Sequence, residues 1–87
     1  MNLVGEAHLY KNITATNTIY PNPCIMLGIF VSSASGTPTI SVSDGANTVV
    51  ATFTPVASTF YPIPVQCNTN LVVTIGGTVN CCVFWNT

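Results

Sequence analysis

Charge is what this chain has least of. Only Glu6, Lys11 and Asp44 are formally charged, 3% of 87 residues, where a soluble domain usually carries about a quarter. There is no arginine, and one lysine cannot neutralise several phosphates, so the composition argues against nucleic-acid binding. No basic amphipathic stretch is present to lie on a membrane. The longest apolar run, Cys24 to Val31, is far too short for a spanning helix. Met1 to Tyr10 has neither a positive region nor an apolar core, so no secretory signal is expected there. Helical periodicity is absent as well.

Catalytic groups are equally scarce. The supply is one histidine, His8, with Glu6, Asp44 and four cysteines. Glu6 and His8 stand two apart and share a face of a predicted strand, but a third metal ligand has no source. A Cys-His nucleophile would need His8 beside Cys67 or Cys82, and no Asn or Asp motif surrounds either. Asp44-Gly45 brings one carboxylate, too few for a hard cation, and reads as a turn. Asn12-Ile13-Thr14 matches a glycosylation acceptor but falls inside a predicted strand. No catalytic, cofactor-binding or metal-ligating residue is expected, and the chain is not expected to be an enzyme.

Uncharged polar residues take the place of charge: 13 Thr, 9 Asn and 6 Ser. With a net charge of −1 there is almost no repulsion between copies. A chain of this size is a single domain, 1–87, burying roughly 60–65% of its unfolded surface. The residues alternate and are punctuated by Gly, Pro, Asn and Asp. Strands are expected at 6–14, 17–20, 24–33, 37–44, 48–54 and 58–65, with Met1 to Gly5 a possible arm. In 24–33 one apolar face holds Ile25, Leu27, Ile29 and Val31; the other holds Cys24, Met26, Gly28 and Phe30. Ile40 and Val42 point inward, as do Val49, Ala51 and Phe53. Pro62 and Pro64 place the 58–65 strand at a sheet edge.

Leu71 to Trp85 reads as a β-hairpin around Gly76-Gly77. A two-residue loop would split the apolar set between faces. A three-residue loop, Ile75-Gly76-Gly77, places Leu71, Val73, Val79, Cys81, Val83 and Trp85 on one buried face. The other face then carries Val72, Thr74, Thr78, Asn80, Cys82 and Phe84. Seven or eight short strands at about ten-residue spacing predict an antiparallel two-sheet β-sandwich, jelly-roll-like or immunoglobulin-like.

The cysteines read as reduced, buried thiols of a protein made in a cytoplasm. Cys81 and Cys82 are neighbours on a strand and point to opposite faces; were one disulfide to form, facing favours Cys67 with Cys81. Apolar surplus is the remaining feature. Val72, Cys82 and Phe84 on the reverse of the hairpin, with Tyr10, Tyr20, Phe30 and Phe60, exceed what one small core needs and form a candidate interface.

The chain resembles the small β-sandwich virion proteins of tailed bacteriophages, including capsid decoration (cement) proteins. The likeness spans about residues 24–85: CIMLGIFVSS, a serine-glycine turn into TPTISVSDG, then ATFTP, YPIPV and LVVTIGGTVNCCVFW. It implies a non-enzymatic subunit of the virion, assembled in the host cytoplasm. Its implied partner is the major capsid protein, and its implied state a homo-oligomer, dimer or trimer, with no nucleic acid and no membrane. Lys11 and Asp44 offer little for salt bridging, so lattice contacts would be apolar and shape-based. A rival expectation is a receptor- or glycan-binding module on a fibre or cell surface, using Tyr20, Asn22, Asn68 and Asn70.

Overall fold

A computed structural model describes residues 9–87. Among them all regular structure is β: β1 Leu9–Ile13, β2 Asn17–Tyr20, β3 Cys24–Asp44, β4 Asn47–Phe53, β5 Thr59–Cys67 and β6 Leu71–Asn86. Every pairing is antiparallel. The six strands form one sheet in the order β1-β6-β3-β4, with β2 also on β6 and β5 also on β3. The expected strand at 6–14 is described from Leu9 onward. Met1 to Gly5, Glu6 and His8 lie outside the described residues.

The long strands β3 and β6 are the frame. They pair with each other from Ile25↔Asn86 to Ser43↔Val72. One end of this ribbon is widened into a first ladder by β1 on β6 and β5 on β3. The other is widened into a second ladder by β2 on β6 and β4 on β3. A straight strand of 21 residues, the length of β3, would run about 70 Å. The described residues together extend 43 Å in their longest dimension, so β3 must bend.

The bend is visible in the register, which skips residues between Ser35 and Thr39. Gly36 and Gly77 take φ of +72° and +81° there, a conformation that costs other residues energy. The hydroxyl of Thr16 serves the backbone of β6 at this point. It accepts from Ile75 N–H at 2.9 Å and donates to Ile75 C=O at 3.3 Å, satisfying groups that would otherwise lack a strand partner.

The expected hairpin is therefore corrected. Gly76-Gly77 is not a turn, and the arms on either side of it pair with β3 instead of each other. The break expected at Ser33 to Gly36 is likewise crossed by one strand. The seven or eight strands expected from the sequence become six for this reason. The buried face is nevertheless the expected one, since Leu71, Val73, Val79, Cys81, Val83 and Trp85 are all buried. Alternation carried straight through the two glycines selects the same residues as the three-residue loop did.

Two further expectations fail on bulges. Leu27 is an extra residue between Met26↔Trp85 and Gly28↔Phe84. It flips the parity, so Cys24 and Met26 are buried before it, Ile29 and Val31 after it, and Ile25 is exposed. Ser32 is a second extra residue, and its hydroxyl donates to the carbonyl of Asn80 at 3.0 Å. In β4, seven residues face five of β3. Val50 consequently lies opposite buried Val42, and Ala51, expected inside, is exposed.

The core draws on both ladders. Met26, Ile29, Val31, Cys81 and Val83 come from the first, and Ile40, Val42, Leu71 and Val73 from the second; all are at most 1% exposed. Each such aliphatic side chain contributes about 1.5–3 kcal/mol by leaving water. Ring contacts span the bend. Tyr20 of β2 lies 6.4 Å from Trp85, centroid to centroid, and Phe53 of β4 lies 5.1 Å from Tyr61 of β5.

Candidate interface

The outward face of the first ladder can be built from register alone. Across β1, β6, β3 and β5 one row runs Tyr10, Phe84, Gly28, Pro62, and the next runs Asn12, Cys82, Phe30, Phe60. None of these eight positions is charged. Tyr10 is 72% exposed, Phe60 48% and Phe30 38%. Cys82 and Phe84 are half-buried. Ile25, beside Asn86 and Gln66, extends the face by one more row and is exposed.

Gly28 gives this face its shape. A Cβ there would stand 2.6 Å from Phe60 Cζ, so the ring of Phe60 lies directly over the glycine. From there it meets Phe84, with centroids 6.3 Å apart and planes at 58°, a tilted arrangement aromatic pairs favour. Burial pushes the Cys82 thiol up, against a lowering from the Lys11 backbone. The Lys11 ammonium itself is engaged with Asn17 Oδ1 at 3.2 Å.

Five of the seven sequence-predicted interface residues come together here: Tyr10, Phe30, Phe60, Cys82 and Phe84. Two do not. Val72 has the right parity, but it sits in the second ladder beside Thr18 and Ser43. Tyr20 packs on Trp85. Ile25 was missed because the bulge at Leu27 leaves no mark in the composition of the strand.

The loops 21–23 and 68–70 lie side by side, because Cys24 pairs with Cys67. Asp44 anchors the second loop. Its carboxylate accepts from the N–H groups of Asn68 and Thr69, each at 2.8 Å, and of Asn70 at 3.2 Å. The Asn68 and Thr69 bonds are the main reason its carboxyl titrates below the ordinary range, despite the opposing effect of burial. Asn70 Oδ1 in turn accepts from Gly45 N–H at 2.7 Å. Read from sequence as a turn residue, Asp44 is also a staple between segments about 25 positions apart.

An open apolar pocket of about 210 Å³ lies between β4 and β5, lined by Val50, Phe53, Tyr61, Pro62 and Ile63. The Tyr61 hydroxyl accepts from Val56 N–H at 2.8 Å. The pocket gathers no acid, base or nucleophile beyond that phenol. Among the described residues no group of three or more His, Cys, Asp or Glu side chains could hold a metal ion. All four cysteines are free thiols. The expected facing of Cys67 and Cys81 is corrected: Cys67 stands opposite Cys24, while Cys81 stands opposite Ile13 and Val31. No protein-family model matches this chain, and no curated protein matches it.

Proposed function

We propose that this chain is a non-enzymatic structural subunit that works by burying the outward aromatic face of its first ladder against neighbouring molecules. The role this serves best is that of a capsid decoration or cement protein of a tailed bacteriophage. It would be assembled in the host cytoplasm, held on the major capsid protein, and itself a dimer or trimer. In this reading the bent sheet is a two-sheet, jelly-roll-like sandwich. The contacts Tyr20–Trp85 and Phe53–Tyr61 across the bend, and a core drawn from both ladders, support that description.

The observation that carries the reading is the uncharged face of Tyr10, Phe30, Phe60 and Phe84. The strand edges give it further support, since each has a feature that discourages edge pairing. β5 carries Pro62 and Pro64, β1 carries Lys11, β2 is four residues long, and β4 is interrupted by two register shifts. Association is thereby directed to a face. A stable contact buries about 800 Å² on each partner, and at about 25 cal/mol per Å² the gain is offset by the entropy of association. Repetition over a lattice lets individually weak contacts hold. Asn22, Asn68 and Asn70 at one end favour the glycan-module alternative, but the Asn70 carbonyl is already engaged with Gly45.

Sedimentation velocity over a wide concentration range tests the interface, and co-sedimentation with purified phage heads lacking decoration tests the role. Concentration-dependent dimers or trimers and saturable head binding are expected. A monomer at millimolar concentration that ignores heads and retains on a glycan array would replace this reading with the alternative.

A further inference from the structure

Cys24 and Cys67 are the one cysteine pair that the sheet sets directly opposite each other. Cys24 opens β3, Cys67 closes β5, and the two are cross-strand partners in the antiparallel ladder. Both are buried, at 4% and 0% exposure, and both face the core. Each thiol shifts the titration of the other, Cys67 lowering Cys24 and Cys24 raising Cys67, as neighbouring groups do. Cross-strand partners hold their Cβ atoms about 4.5–5.5 Å apart, and a disulfide needs about 3.5–4.5 Å. Closure by about an ångström joins them. The other two cysteines have no such neighbour: Cys81 faces Ile13 and Val31, and Cys82 lies on the opposite side of β6 between Asn12 and Phe30.

We propose that Cys24 and Cys67 are a latent disulfide, a modification site that closes when the protein meets a small-molecule disulfide oxidant. One cysteine, as thiolate, attacks a sulfur of the oxidant and releases one small thiol. The second attacks the resulting mixed disulfide, forms the Cys24–Cys67 bond and releases the second small thiol. The two cysteine protons leave on the two released thiols, and the oxidant is reduced by two electrons.

The position gives the bond a consequence. β5 is an edge strand held by β3 alone, and Pro62 and Pro64 lack the N–H that would strengthen it. A bond at Cys67 clamps the end of β5 next to the loop that Asp44 holds. The fold also slows the reaction. Burial pushes the Cys67 thiol up to about 11, with Asp44 adding to the shift, so little thiolate exists while β5 is seated. Exchange thus proceeds through opening of β5, and the oxidised form opposes that opening. This inference does not depend on the aromatic face being an interface.

The test uses the full chain with oxidised glutathione, read by intact mass and non-reducing peptide mapping. The expected product has lost two hydrogens, joins the Cys24 and Cys67 peptides, leaves Cys81 and Cys82 alkylatable after denaturation, and melts several degrees higher until dithiothreitol reverses it. Urea below the unfolding transition should accelerate its formation. Cys81→Ser should form the same bond, and Cys24→Ser should form none. Four alkylatable thiols at equilibrium, a bond through Cys81 or Cys82, or an oxidised form that melts lower would overturn the proposal.

Discussion

The ring of Phe60 rests on Gly28, its Cζ 2.6 Å from where a Cβ would be, with the carbonyl oxygen of Tyr61 equally close. The second contact is with backbone, which cannot swing aside. Gly28→Ala should therefore destabilise the fold by about 1–3 kcal/mol, the usual range for overpacking. Urea unfolding of the two proteins measures this, and an unchanged midpoint would show that Phe60 and β5 adjust freely. The same substitution should lift Phe60 off the face and weaken any self-association.

Tyr10 and Met26 make a contrasting pair. Tyr10 is 72% exposed and Met26 fully buried. Met26→Ala should destabilise by about 2–5 kcal/mol. Tyr10→Ser should change stability by no more than about 0.5–1 kcal/mol, yet weaken self-association about tenfold or more if the face is an interface. Calorimetry and sedimentation equilibrium separate the two effects. Unaltered association in Tyr10→Ser would remove the centre of β1 from the interface.

Asp44 gives the fold an acid limit. Three backbone N–H groups favour its charged form, so its carboxyl titrates lower in the fold than in the unfolded chain. The stabilisation is complete above the unfolded value of about 3.9 and is lost as pH falls through the lower folded value. Thermal unfolding of the native protein should thus weaken as pH is lowered from 5 toward 2. Asp44→Asn should start less stable at pH 7, because the amide offers one accepting oxygen, and should lose less on acidification. Parallel melting curves for the two proteins would dismiss the staple.

Gly36 and Gly77 share a left-handed backbone but not an environment. A Cβ on Gly36 meets nothing within 4 Å, whereas one on Gly77 stands 3.0 Å from Pro38 Cα. Gly36→Ala should cost about 1 kcal/mol of backbone strain, and Gly77→Ala distinctly more. Equal losses in denaturant titration would mean that Pro38, buried at the bend, yields without resistance.

Much of this molecule was legible before its fold. The odd-numbered stripe Leu71, Val73, Val79, Cys81, Val83, Trp85 follows from alternation together with the choice of Ile75-Gly76-Gly77 as the loop, and Ile40 and Val42 follow from alternation alone. Alternation is a property of one strand, and every strand of a half-buried sheet must obey it. The prolines of β5 announced an edge, since a missing N–H has no place between two strands, and β5 pairs with β3 alone. The lack of charge likewise needed no coordinates.

What alternation could not say is which strand lies alongside which. Gly76-Gly77 has the chemistry of a turn, and only the presence of β3 on both sides of it makes it a bend in a continuous strand. The bulge at Leu27 exists because β6 offers no residue opposite it, while β5 sets two, Ile63 and Pro64, across from it, and it reverses the faces of Ile25 and Ile29. Separation of Val72 from Phe84, and of Cys67 from Cys81, follows from the same bend and register. Hydrophobic pattern is local and was readable in the chain; hydrogen-bonded partnership joins residues tens of positions apart, and tertiary structure alone decided it.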